Sequence, residues 1–238
     1  MIYFLLVLFG LVVGSFVSVV TYRIPRNIGF VFGRSFCDTC KTELRWYDNI
    51  PLFSYLYYRG KSRCCHKKIS IRYPLIELAF VAGFIILYLV FGFSIQLIAY
   101  SLLLILTLSI LIIDIEYQII PDELSWLVLL LGLFTVHGSL FTNLFSAFFF
   151  SLLLLTLYLI TSGKGMGLGD VKIAIGLGAW LGLLNGWKWL LISFILGGIV
   201  ATILLLLNKA KLKTKIAFGP FLVIAFWIVT IYAEIYKI

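Results

Sequence analysis

Hydrophobic positions in this chain fall into long unbroken runs, not into the one-sided stripes of a soluble helix. The runs cover residues 2–20, 73–92, 95–113, 124–141, 143–161, 171–184, 187–207 and 217–236. Most are roughly 18–22 residues long, enough for a helix to cross the ~30 Å hydrocarbon core of a bilayer. The pattern predicts an all-α, polytopic integral membrane protein of about eight transmembrane helices. The division between 171–184 and 187–207 is the ambiguous one, because Gly176, Gly178 and Gly182 would equally mark a single broken helix.

One long polar segment, 22–72, interrupts the runs and divides the chain into a first transmembrane helix (1–21), a polar loop (22–72) and a transmembrane core (73–238). The first run is read as a retained helix and not a secretory signal. It has no basic start, and Tyr22-Arg23-Ile24-Pro25-Arg26 follows it in place of a small-residue cleavage site. Its Gly10, Gly14, Ser15 and Ser18 form a small-residue stripe suited to close helix packing.

Composition agrees with the pattern. The 238 residues are 63% hydrophobic and 12% charged, with a mean hydropathy of +1.12, which excludes an ordinary soluble domain. A formal charge of +9 raises nucleic acid as a partner, but basic residues in a membrane protein report topology first. With 22–72 in the cytoplasm, alternation of the runs brings 162–172 and 208–216 to the same side. That side then holds 17 of the 19 Lys and Arg residues, all but Lys188 and Lys237. The asymmetry supports eight spans with the amino terminus outside. Acidic lipid headgroups, and no nucleic acid, are the expected partners of this charge.

Acids are scarce, and two stand where an apolar run meets the cytoplasmic border. Asp170 closes Gly165-Met166-Gly167-Leu168-Gly169-Asp170, and Asp114 follows the run ending at Ile113 and opens the turn from Asp114 to Asp122. Ionisable groups at such depth are costly and mark function by default. Two carboxylates brought together cannot both ionise cheaply, so one keeps its proton. An acid and a base flanking a water meet the requirement of aspartic peptide hydrolysis. Gly167 and Gly169 would admit a substrate backbone close to the acid. Helix capping by Asp122 or Asp170, or an ion path in a transporter, accounts for the same acids, and spacing does not separate these readings. Lys172 either snorkels to the interface or contacts the acid pair or a substrate.

All four cysteines, Cys37, Cys40, Cys64 and Cys65, lie in the polar loop. A reducing cytoplasm disfavours disulfides, and a CxxC followed by a second pair of thiols predicts a tetrahedral zinc site. Zinc would fold a loop with little apolar core of its own. Tyr55-Leu56-Tyr57-Tyr58-Arg59 reads as an interfacial aromatic belt or as a substrate contact.

An ordered series of motifs resembles the type IV prepilin peptidases, membrane aspartic proteases with a GxGD signature. Gly14-Ser15-Phe16 and Arg23-Ile24-Pro25 open it. Cys37-x-x-Cys40, Trp46, Asn49-Ile50-Pro51, Ser54-Tyr55, Gly60-Lys61 and Ile69-Ser70-x-Arg72-Tyr73-Pro74-x-x-Glu77 continue it. Asp114, Ile120-Pro121-Asp122-x-Leu124-Ser125, Gly165-Met166-Gly167-x-Gly169-Asp170-x-Lys172 and Phe218-Gly219-Pro220-Phe221 complete it. The resemblance covers nearly the whole chain.

The resemblance implies that Asp114 and Asp170 are the catalytic pair, with Asp122 left to cap a helix. It places Gly167, Gly169, Lys172 and Glu77 near the substrate, Glu77 beside either the new amino terminus or a methyl donor. The family carries CxxC twice, and this chain departs from that. In register, Ser62 takes the third cysteine slot and Cys65 the fourth, so Cys64 or His66 must supply the ligand missing beside Cys37, Cys40 and Cys65. The implied protein lies in the bacterial cytoplasmic membrane with its loop and aspartates on the cytoplasmic side. It removes the basic leader of prepilins or pseudopilins after a glycine, then N-methylates the new terminus from S-adenosylmethionine. The rivals are an ion-coupled transporter using the intramembrane aspartates and a non-catalytic assembly factor. A presenilin-like protease is a third, but there a tyrosine usually precedes the partner acid, and here Ile113 does.

Overall fold

The computed structural model describes residues 1–29, 33–134, 139–208 and 216–236. Its regular elements are helical: α1 (Ile2–Arg23), α2 (Phe53–Tyr57), α3 (Arg72–Phe91), α4 (Ile95–Tyr117), α5 (Asp122–Phe134), α6 (Leu140–Ile160), α7 (Leu168–Leu206) and α8 (Gly219–Tyr236). No strand occurs among the described residues. Lys209, Lys211, Lys213, Lys215 and Lys237, which enter the charge count, lie outside them.

Among the described residues, six helices are long and apolar enough to cross a membrane: α1, α3, α4, α6, α7 and α8. Two features separate this from the eight expected runs. Within the described residues the run at 124–141 is helical from Asp122 to Phe134 as α5, and α6 begins at Leu140, not at 143. Ser139 sets that start, its hydroxyl accepting the Thr142 N–H at 3.3 Å as an N-cap. The runs at 171–184 and 187–207 emerge as one 39-residue element, α7, with non-helical geometry at Gly182 (φ 65°, ψ −177°). Unbroken it would extend about 58 Å, nearly twice the ~30 Å apolar core. The break falls at Gly182 because glycine alone accepts that φ without penalty, while Asn185 and Gly186 stay helical.

The chain forms two compact units, Met1–Ser101 and Leu102–Ile238. In the first, α1 lies against α3 along the small-residue stripe. A Cβ added at Gly10 would sit 2.7 Å from Val81 Cα, and one at Gly14 2.6 Å from Glu77 Cα. Arg72, at the start of α3, donates to Ser18 O (3.2 Å) and Thr21 Oγ1 (2.7 Å) and so ties down the end of α1. Buried Arg23 donates to Gly29 O (3.0 Å) and Arg34 O (2.9 Å), turning the chain into the polar loop.

In the second unit α5, α6 and α8 pack on α7. Glycine again permits the approach: a Cβ at Gly176 would meet Val128 Cγ1 at 2.7 Å, and one at Gly178 would meet Ser146 O at 3.1 Å. Trp189 Nε1 donates to Leu222 O (2.8 Å) and Trp227 Nε1 to Thr107 Oγ1 (3.0 Å), which fix α8. Lipid tails are as apolar as leucine, so close packing and such bonds hold membrane helices together.

Candidate active site and cysteine cluster

Asp114 and Asp170 belong to the second unit, and each is only 5% exposed. Asp114 lies in the last turn of α4, which runs three residues beyond it to Tyr117. Asp170 lies in the first turn of α7, which starts two residues before it at Leu168. Both acids are therefore inside helices, where rigid backbone aims them. The carboxylates interact electrostatically, and one side chain joins their settings. A Cβ at Gly169 would fall 2.9 Å from Ile120 Cβ, and one at Gly219 3.1 Å from Ile120 Cδ1 and 2.5 Å from Asp114 Oδ2. Ile120, itself buried, thus wedges between the glycine before Asp170 and the glycine facing Asp114.

The two acids differ in their hydrogen bonding. Asp170 Oδ2 accepts the Gly167 N–H at 3.0 Å, while its own N–H reaches Gly167 O at 3.2 Å. Capping is thus part of what Asp170 does. The Gly219 N–H lies beside the Asp114 carboxylate, but Asp114 Oδ2 is buried without a hydrogen bond of normal geometry among the described residues. A buried oxygen without a hydrogen bond costs stability.

Lys172 does not reach into this pair; its Nζ contacts Asp122 Oδ1 at 2.6 Å, both side chains being about half exposed (48% and 56%). Asp122 opens α5 and so carries both the first turn of that helix and this ion pair. Gly167 is the N-cap of α7, with its Cβ position 3.5 Å from Asp170 Oδ2. In the sequence Gly219 and Ile120 stand out only as members of motifs, with no role of their own. Their proximity to the acids comes from turns far apart in the chain, and the one local signal was a glycine opening an apolar run.

Glu77 lies in the first unit, 6% exposed, on α3. It accepts the Leu52 N–H at 2.7 Å and a hydrogen bond from Ser15. Leu52 is at φ 59°, an uncommon conformation for a non-glycine residue, so the Glu77 contact holds a strained backbone position. Around it a cavity of about 480 Å³ is lined by Tyr22, Tyr55, Tyr73, Asn49 and Glu77, among others.

In the loop, the Sγ atoms of Cys37, Cys40, Cys64 and Cys65 all lie within 4.8 Å of one another. Cys40 Sγ is 2.9 Å from Cys64 Sγ, and Cys37 Sγ 3.8 Å from Cys65 Sγ. Sharing of a proton with Cys64 pulls the Cys40 thiol down to about 6 and pushes Cys64 up to about 11. Burial raises the Cys37 thiol, but the backbone N–H of Cys40, the Ser62 hydroxyl and the Thr39 N–H outweigh it and leave it lowered. Four sulfurs this close together suit a divalent metal ion. His66 is not in the group, so the structure favours Cys64 over His66 as the fourth donor. In the same loop, Arg63 clasps Asp48 with its Nε 2.9 Å from Oδ1 and its Nη2 3.0 Å from Oδ2.

Comparison with known proteins follows the same division. The Bacterial Peptidase A24 N-terminal domain model matches residues 8–91, and the Type IV leader peptidase family model matches residues 101–206, which contain both acids. A Prepilin leader peptidase/N-methyltransferase of Stutzerimonas stutzeri is 36% identical over 94% of this chain and 89% of its own length. Proteins of the same name from Pseudomonas aeruginosa (36%, covering 96% and 89%) and Legionella pneumophila (33%, covering 94% and 88%) are also similar. No solved structure matches. With apolar helices long enough to span a bilayer, two family models in series and relatives aligned over nearly its full length, this multi-pass membrane protein belongs to the type IV leader peptidase family.

Proposed function

We propose that this chain is a membrane-embedded aspartic endopeptidase that removes the basic leader of type IV prepilins or pseudopilins after a glycine. One observation carries the reading: Asp114 and Asp170, both buried, sit at two helix ends in one unit, and Ile120 packs against the glycine beside each. One carboxylate takes a proton from the attacking water, while the other, protonated, donates to the scissile carbonyl. The first then passes its proton to the leaving amine, and the second recovers its own from the hydroxyl of the tetrahedral intermediate. The unsatisfied Asp114 Oδ2 is the better placed to receive the water's proton. Asp170, held by the Gly167 N–H, stays oriented through the cycle. A water-poor setting strengthens each of these interactions. The loop and both acids face the cytoplasm of a bacterial inner membrane, where basic residues of the loop meet acidic lipid. An ion-coupled transporter has no observation in its favour.

The test is co-expression of a prepilin with the wild type, Asp114→Ala or Asp170→Ala, following leader removal on gels. Each substitution removes an acid–base group and is expected to slow cleavage about 10³-fold or more; normal processing by either would sink the pair.

The second activity in the relatives' name is N-methylation, and S-adenosylmethionine is the donor we assign to it. The cavity near Glu77 fits such a ligand, with a volume typical of small-molecule sites and tyrosine faces suited to a sulfonium cation. When bound, the donor supplies an electrophilic methyl group. Glu77 orients the cationic centre, and the tyrosines and Asn49 shape the pocket and keep bulk water out. The four loop thiols likewise fit zinc, which supplies structure to the loop.

A further inference from the structure

The cysteine loop is built from one turn used twice. Residues 35–44 and 60–69 match at an offset of 25. Cys37 N–H bonds Thr42 O and Ser62 N–H bonds Lys67 O (2.9 and 2.8 Å). Lys41 N–H bonds Cys37 O and His66 N–H bonds Ser62 O (2.9 and 2.8 Å), and the outer pairs Leu44–Ser35 and Ile69–Gly60 each close at 2.8 Å. Lys41 and His66 both take positive φ, 59° and 55°. In this register Cys40 corresponds to Cys65, and Cys37 to Ser62. The second turn therefore has a hydroxyl where the first has a thiol.

Cys64 has no thiol counterpart in the first turn; its equivalent is Thr39. Yet its sulfur joins the other three, and Ser62 Oγ lies 3.0 Å from it and 3.4 Å from Cys37 Sγ. We infer that the metal centre has a displaced fourth ligand. Cys64 coordinates from the tip of the second turn, and Ser62, in the slot that Cys37 fills in the first, donates its hydroxyl hydrogen to the thiolates and does not bind the metal.

Chemistry supports this division of labour. Zinc–sulfur bonds of about 2.3 Å in a tetrahedron set sulfurs about 3.8 Å apart. Cys37 and Cys65 are already at 3.8 Å, and Cys40 and Cys64, at 2.9 Å, must move apart to take the ion. Four thiolates leave a net negative centre, which a hydroxyl donor relieves. A zinc-bound serine would forgo that and replace a soft donor with a hard one.

The inference rests on the loop thiols holding metal, and the experiment separates the two claims. Full-length protein in detergent is assayed for zinc per chain, then loaded with Co²⁺ and read by its thiolate charge-transfer absorption. The wild type is expected to hold one ion with a four-thiolate spectrum, and His66→Ala to match it. Cys64→Ser should lose about a quarter of that absorption. Ser62→Ala should keep the spectrum while binding about tenfold more weakly, the scale of a lost outer hydrogen bond. Ser62→Cys combined with Cys64→Ser should restore four thiolates by returning the ligand to its slot, which guards against a Cys64→Ser protein that merely misfolds. Metal that binds with an unchanged spectrum after Cys64→Ser overturns the displaced ligand but not the metal. A spectrum altered by Ser62→Ala or His66→Ala overturns it in favour of that residue. A wild type without metal, or with Cys40 and Cys64 in a disulfide, overturns both.

Discussion

At the scale of single residues, the glycines around the acid pair have unequal tasks. A methyl group at Gly219 would lie 2.5 Å from Asp114 Oδ2, whereas at Gly167 it would lie 3.5 Å from Asp170 Oδ2, an ordinary contact. Gly219→Ala is therefore expected to displace Asp114 and cut kcat for leader cleavage at least about tenfold, with folding intact; misplacements of this kind can cost 10²-fold. Gly167→Ala should leave kcat near the wild-type value, and an effect on KM alone would report substrate approach. Equal losses of kcat at both sites would refute this ordering. In the loop, burial pushes the Asp48 carboxyl up, but the Arg63 guanidinium and Arg45 N–H outweigh it and hold it below the usual carboxylate range. A lowered folded pKa contributes stability above the ordinary carboxylate value and loses it as pH falls through the lowered one. Amide exchange across 45–63 should accelerate as pH drops through that acid range, after correction for intrinsic rates. Asp48→Asn should exchange fast already at neutral pH.

At the scale of elements, the turn between α4 and α5 acts as a clasp on the start of α7. Ile120 packs on Gly169, and two residues on Asp122 pairs with Lys172. The two contacts are unequal in energy. A half-exposed ion pair contributes about 0–1 kcal/mol, whereas truncating a buried Ile to Ala costs about 2–5 kcal/mol. Ile120→Ala is expected to lower cleavage about 10²-fold through misplacement of the acids, while Lys172→Gln changes thermal stability little. Cleavage assays beside thermal melts of both variants check this. A large catalytic loss in Lys172→Gln with unchanged stability would give that lysine a role the structure does not.

At the scale of the whole molecule, two units match two family models, and the proposed peptidase and methyl-donor sites fall in different units. Glu77→Gln should weaken equilibrium binding of S-adenosylmethionine at least about tenfold, the scale of a lost charged contact of roughly 1.5 kcal/mol. Asp114→Asn should leave that binding unchanged while abolishing cleavage. Loss of donor binding in Asp114→Asn would argue against separate sites. The sequence alone determined much of this protein. Run lengths made it a membrane protein, scarcity of acids drew attention to Asp114 and Asp170, which the family resemblance then implied as a pair, and cysteine spacing drew attention to the loop. Those are local properties, set by the cost of moving charge and backbone out of water. Only the tertiary structure decided where α7 breaks, that Lys172 turns to Asp122, that Ile120 and Gly219 frame the acids, and that Cys64 rather than His66 joins the thiols. Each depends on contacts between residues distant in sequence, where closeness of packing chooses among side chains that local chemistry leaves equivalent.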